Sequence, residues 1–263
     1  LDFETTGLSP GKETILELAY CITDDQHRLL TPIRQRLTNL APPLKREAGP
    51  RGPFGFAFDT TKSEDWENPE FFDTRNKSNP KIVMDMHQNS GLKADHLAVD
   101  PNAILTHPRD FERMFLDDLV DVKNRFDYDI GKIILSGDGV SHFDNYLLDA
   151  LWPDRFPLRP DFDHDMAYWY GDVSIARRLV PPSVLTAGRK WAESDESPFS
   201  MLAEEMVADI SMGPDDFEVQ DEKSNLWTFD RNGAVPHRAA DDLVVSILDA
   251  RILAKIDLFS QKI

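Results

Sequence analysis

The chain has 263 residues, 41% of them hydrophobic, which is enough for one globular domain (1–263) with a substantial core. Its 29 Lys and Arg stand against 47 Asp and Glu, a formal charge of −18, so it lacks the basic stripe of a protein that tracks long duplex DNA. The single cysteine, Cys21, makes neither an internal disulfide nor a thiolate zinc site, and no apolar run reaches the length of a membrane span.

In chain order, Asp2-Phe3-Glu4-Thr5-Thr6-Gly7 reads as a strand ended by a turn. Alternation puts Asp2 and Glu4 on one face and sends Phe3 into the core. Both carboxylates are expected exposed at the strand tip, repelling each other unless a cation or proton lies between them. The chain opens at Leu1, inside this strand and without methionine, so residues upstream are expected. Residues 15–22 read as a buried strand, 24–27 as a turn and 28–33 as the returning strand, the antiparallel half of a mixed sheet. Residues from about 40 to 80 are crowded with Pro and Gly, carry Phe54, Phe56 and Trp66, and read as an irregular insert. A helix through Val83 closes at Gly91 with His87 in its last turn, and Phe111, Met114, Phe115, Leu119 and Val122 mark another.

Ile133-Ile134-Leu135-Ser136-Gly137 reads as a buried strand. Beyond it Phe143, Leu147, Leu148 and Leu151 recur at helical spacing, placing Asp144 in a first turn, where an acid also favours the helix dipole. A second insert, about 198–236, holds a short amphipathic helix and an acidic segment. Aromatic residues of the inserts either stack on bases or pack onto the core, and packing is the preferred reading. Near the C-terminus Leu243, Val244, Ile247, Leu248, Ile252, Leu253 and Ile256 mark a helix of about five turns from Asp242 onward. Five residues correspond to roughly 140° around a helix, so His237 and Asp242 share no helical face. His237 is therefore expected on the lead-in loop, with Asp242 projecting from the helix.

Asp-X-Glu on a strand, an Asp after a second strand, and His237-Arg238-Ala239-Ala240-Asp241-Asp242 occur in that order. Together they resemble the DEDDh family of 3′–5′ exonucleases. The resemblance implies an α/β fold, a ribonuclease H-like mixed central sheet flanked by helices, here with the two inserted segments. It implies Asp2, Glu4, Asp144 and Asp242 as ligands of two Mg²⁺ or Mn²⁺ ions and His237 as general base. Asp241 is a rival for the last ligand, and the family's spacing of five after the histidine selects Asp242. Such chemistry suits these residue types. Two divalent ions about 3.5–4 Å apart clamp the attacking and leaving oxygens of a phosphodiester. Hard cations prefer carboxylate oxygen, and four acids at close quarters need their charge. Histidine, which ordinarily titrates near neutral pH, can take a proton from the attacking water.

Within that family, Val83-Met84-Asp85-Met86-His87-Gln88-Asn89-Ser90-Gly91-Leu92 resembles the His-X-X-Ser-Gly-Leu stretch of oligoribonucleases. That likeness implies that His87 and Leu8 wedge the terminal bases of the substrate; a packed or capping histidine is the alternative for His87. The loop before Asp144 is about one residue longer than the oligoribonuclease form, so its substrate-facing serine is not carried over. Arg159-Pro160-Asp161-Phe162-Asp163 and Asp172-Val173-Ser174-Ile175-Ala176-Arg177-Arg178 each resemble the family's next strand and helix, and both stay open. The expected partner is a short single-stranded nucleic acid, RNA favoured, cleaved to 5′-mononucleotides. The resemblance also implies a homodimer, and cysteine usage suits a cytoplasmic location. Trimming or proofreading of single-stranded DNA is the alternative, and a non-catalytic nucleic-acid-binding protein the third.

Overall fold

The computed structural model of the chain describes residues 1–7, 13–24, 27, 29–40, 58–72, 80–126, 133–138, 144–151, 171–173 and 237–260. Strands β1 (Asp2–Thr5), β2 (Ile15–Tyr20) and β3 (Arg34–Leu40) form an antiparallel sheet in the order β1-β2-β3. The described helices are α1 (Ser63–Trp66), α2 (Pro80–Asn89), α3 (Leu92–Ala98), α4 (Pro108–Phe126), α5 (Asp144–Leu151) and α6 (Ala239–Ser260). A parallel pair joins β4 (Ser136–Gly137) to β5 (Gly171–Asp172). Mixed α/β architecture is thus established. No helix among the described residues is long and apolar enough to cross a membrane.

Central β2 is buried along its whole length, which explains its nearly unbroken apolar sequence. Alternation sorts its neighbours onto two faces. Phe3, Leu18 and Tyr20 pack with Phe111, Leu116 and Leu119 of α4 and Leu147 and Leu148 of α5. Ala19 instead joins Ile33 and the α6 residues Ala239, Ala240, Leu243, Val244 and Ile247. Each such aliphatic or aromatic side chain contributes about 1.5–3 kcal/mol when fully buried. The Asp118 carboxylate then ties α4 to the sheet, accepting from Tyr20 Oη (2.7 Å) and from Arg34 Nε (3.0 Å) and Nη2 (2.7 Å).

The returning strand begins later than the sequence suggests. A bridge pairs Thr23 with Leu29, Leu30 N donates to Ile22 O at 2.8 Å and His27 N to Asp24 O at 3.1 Å, so the chain reverses between Thr23 and Leu29. The ladder then breaks. Pro32 has no N–H to offer, and Ile22 N donates to Thr31 Oγ1 (2.9 Å) instead of to a backbone carbonyl. Regular pairing resumes only at Arg34, opposite Tyr20. The strand expected over 133–137 is likewise shorter. Ser136 and Gly137 pair with Gly171 and Asp172, Ile133 forms a single bridge, and Ile134 between them is 45% exposed. A Cβ at 171 would stand 2.2 Å from Ser136 Oγ, so any larger residue there would make that hydroxyl turn away.

Within the first insert, residues 58–72 fold onto the sheet end. Phe58, Trp66 and Phe72 pack with Leu16, Leu37 and Leu92, and Trp66 Nε1 donates to Thr60 O at 2.9 Å. Trp66 is therefore a core residue. Phe54, Phe56 and the second insert lie outside the described residues. Of the two segments resembling the next strand, 159–163 also lies outside them, while Asp172 sits in β5.

Candidate metal centre

Asp2 and Glu4 project from one face of β1, and the residues after them close over the strand end. Thr6 N donates to Thr14 O (3.0 Å), Thr14 N to Thr6 Oγ1 (3.0 Å), and Thr6 Oγ1 to Glu13 Oε2 (2.9 Å). This closure corrects the expectation of exposed carboxylates. Glu4 is only 7% exposed and Asp2 is half-buried. Asp144 is the first residue of α5 and buried. Leu147 and Leu148 of the same helix anchor it in the core three and four residues on.

The last segment enters through His237, whose φ of +64° lies in the left-handed region that only glycine adopts freely. That turn separates the loop from α6, which begins at Ala239 rather than at Asp242. Asp242 N donates to Arg238 O (3.0 Å) in the first helical turn. His237 N donates to Asp242 Oδ2 at 3.2 Å. As the spacing predicted, the histidine sits on the lead-in and the acid on the helix. Donor atoms of Glu4, His237 and Asp242 lie within 4.8 Å of one another. Asp242, and not Asp241, is the acid in this group.

Electrostatics bring in the remaining two acids. The Asp2 carboxyl is held well above its ordinary range, first by burial and then by Asp144, Glu4 and Asp242. Burial, followed by Asp242 and Glu17, pushes Glu4 up to about 8, with Arg238 opposing. Asp242 is raised too, chiefly by burial, and His237 pulls it back. The four acids thus form one mutually repelling cluster beside His237. Their carboxylate oxygens are the hard donors a divalent cation prefers, and those of Glu4 and Asp242 lie close enough for one ion to reach both, with His237 alongside. A bound ion would add positive charge beside these mutually repelling carboxylates.

His87 is placed elsewhere. Its ring is 0% exposed, Nε2 donates to Thr5 O at 2.8 Å, and Trp66 and Phe72 pack against it. Burial pushes its pKa down to about 4, so the ring is neutral. A base wedge requires an exposed face, so this histidine does not serve as one here. The cause is α2, whose Val83 and Met84 pack on the Phe58–Trp66–Phe72 cluster and carry His87, four and three residues on, to the same side. Leu8 lies outside the described residues.

Two residues escaped the sequence reading. Glu17 is 0% exposed in β2, accepting from Arg238 Nη2 (2.7 Å), Ala239 N (2.9 Å) and Gln35 Nε2 (2.7 Å). Arg238 also reaches Asp95 Oδ2 through Nη1 at 2.8 Å. The available signal was an acid inside the apolar run Ile15–Tyr20, since a buried acid demands a partner. Compared with known proteins, the chain matches no protein-family model and no curated protein sequence.

Proposed function

We propose that the chain is a metal-dependent 3′–5′ exonuclease of ribonuclease H-like fold, acting on short single-stranded oligonucleotides, RNA favoured, and releasing 5′-mononucleotides. The observation that carries this reading is convergence. Acids from three distant segments, Asp2 and Glu4, Asp144, and Asp242, interact as one cluster with His237 beside them. The fold reading draws support from Leu1 N, whose hydrogen bond to Ser136 O (3.0 Å) brings the residue before β1 close to β4. The antiparallel and the parallel strands otherwise pair separately, and a single mixed sheet is part of the proposal.

Two Mg²⁺ or Mn²⁺ ions held by Asp2, Glu4, Asp144 and Asp242 would supply electrostatic stabilisation of the attacking and leaving oxygens. The chain's own residues do the rest. His237, exposed on its loop, accepts the proton of the attacking water. Water oxygen bonds to the terminal phosphorus, the bond to the neighbouring O3′ breaks, and that oxygen takes up a proton from solvent as it leaves, while His237 later returns its own to solvent. Asp242 Oδ2 accepts from His237 N and so fixes the histidine's backbone.

Burial of His87 favours a second reading, trimming or proofreading of single-stranded DNA, because one of the two implied base wedges is withdrawn. Turnover of labelled RNA and DNA from two to about twenty nucleotides separates them. Highest efficiency on two-residue RNA supports the oligoribonuclease-like reading. Efficiency that climbs with strand length, or DNA preferred throughout, selects the second.

A further inference from the structure

We infer that Glu17 and Arg238 are positioning residues, a pair that sets the His237–Asp242 segment in register with the acids of β1. The inference rests on the metal-centre reading and deepens it.

The geometry is specific. Glu17 lies directly opposite Glu4 across β1 and β2, so both side chains rise from one face of the sheet. Its two oxygens accept from Arg238 Nε (3.2 and 3.1 Å) and Arg238 Nη2 (2.7 Å), and Oε2 also accepts from Ala239 N (2.9 Å). The remaining Arg238 nitrogen, Nη1, pairs with Asp95 Oδ2 of α3 (2.8 Å). One guanidinium therefore joins β2, α3 and the start of α6. Glu17 in turn satisfies the first N–H of α6, where a negative charge also suits the helix dipole.

Arg238 and Ala239 follow His237 directly, so anchoring them fixes where the left-handed turn at His237 must fall. A non-glycine residue in that region is costly and persists only when its surroundings determine it. Here the determinant is a fixed fork on a buried carboxylate. Lysine carries the same charge but a single nitrogen, and cannot meet Glu17 and Asp95 in this geometry. Aspartate at 17 keeps the charge and shortens the reach.

The test uses the full chain with two charge-conserving variants, Arg238→Lys and Glu17→Asp, each carrying the test if the other fails to fold. Mn²⁺ affinity is measured by calorimetry without substrate, kcat and KM on a short oligonucleotide, and folding by thermal melting. The expected result is a loss of Mn²⁺ affinity of about 10–100-fold, the usual effect of disturbing groups that orient metal ligands. kcat should fall with KM unchanged while a cooperative melt persists. Wild-type Mn²⁺ affinity and kcat in a variant that has only lost thermal stability would make the pair merely structural and overturn the inference. If the wild-type chain binds Mn²⁺ yet hydrolyses no oligonucleotide, the exonuclease reading alone falls, and the Mn²⁺ affinities still decide the pair.

Discussion

Glu4 and Glu17 face each other directly across β1 and β2, and Arg238 makes its hydrogen bonds to the second of them. Two like charges in that position repel, and the sheet accommodates them by treating them differently. Glu17 has its ion pair with Arg238 and two further donors, Gln35 Nε2 and Ala239 N, whereas Glu4 faces Asp2, Asp144 and Asp242. Under the proposed metal-centre reading, Glu4 is the one of the two acids that meets a cation.

A pH dependence follows for the metal-free chain. Folded Glu4 holds its proton up to about 8, against an ordinary value of 4.5, so folding takes up a proton between those limits. Its contribution is complete below 4.5 and is lost as pH rises through about 8; raised Asp2 acts in the same direction. In chelator the melting temperature should therefore fall between about pH 5.5 and 8.5, and added Mg²⁺ should restore more at the upper end. Glu4→Gln should flatten the profile. An unchanged slope in that variant would remove Glu4 as its source.

Removing one acid should relieve repulsion while ending catalysis. Asp2→Ala is expected to lose turnover yet melt higher than wild type in chelator, because the remaining carboxylates repel less. Added Mg²⁺ should stabilise it less than wild type. Activity retained by Asp2→Ala would take that residue out of the centre.

Much of this centre was legible in the sequence because its parts obey local rules. Period-two alternation put Asp2 and Glu4 on one face, helical spacing of Leu147 and Leu148 put Asp144 at a helix start, and the five-residue interval separated His237 from the face of Asp242. What stayed hidden depends on partners distant in sequence. Glu17 went unmarked inside a core strand because its partner, Arg238, stands 221 residues away. His87 could not be recognised as buried without residues 58–72, whose Pro- and Gly-rich surroundings conceal the packing of Phe58, Trp66 and Phe72. Local apolarity also overstated two strands, since neither Pro32 nor the exposed Ile134 supports a ladder.

For His237, substitution by alanine should lower kcat by roughly 10²–10⁴-fold, the usual worth of a general base, with KM little changed. Steady-state kinetics on a short oligonucleotide reads this. A loss below about tenfold would give the histidine a structural role.

His87→Ala should act on stability instead. Losing the ring and its hydrogen bond to Thr5 O leaves a cavity beside Trp66, at a cost of about 2–3 kcal/mol. Denaturant melts should show that loss, with equal effects on short and long substrates. Leu8→Ala, by contrast, should weaken dinucleotide binding by about five- to 150-fold if Leu8 wedges a base. A selective effect of His87→Ala on dinucleotides would return the wedge to His87.

The most direct measurement is the product pattern of a 5′-labelled RNA oligonucleotide treated with wild-type chain or Asp144→Asn, in Mn²⁺ or in chelator. The account predicts a ladder shortening from the 3′ end, with 5′-mononucleotides released, only for wild type with the metal. Hydrolysis that persists in chelator, survives Asp144→Asn, or releases the 5′ label first would contradict it, as would no hydrolysis at all.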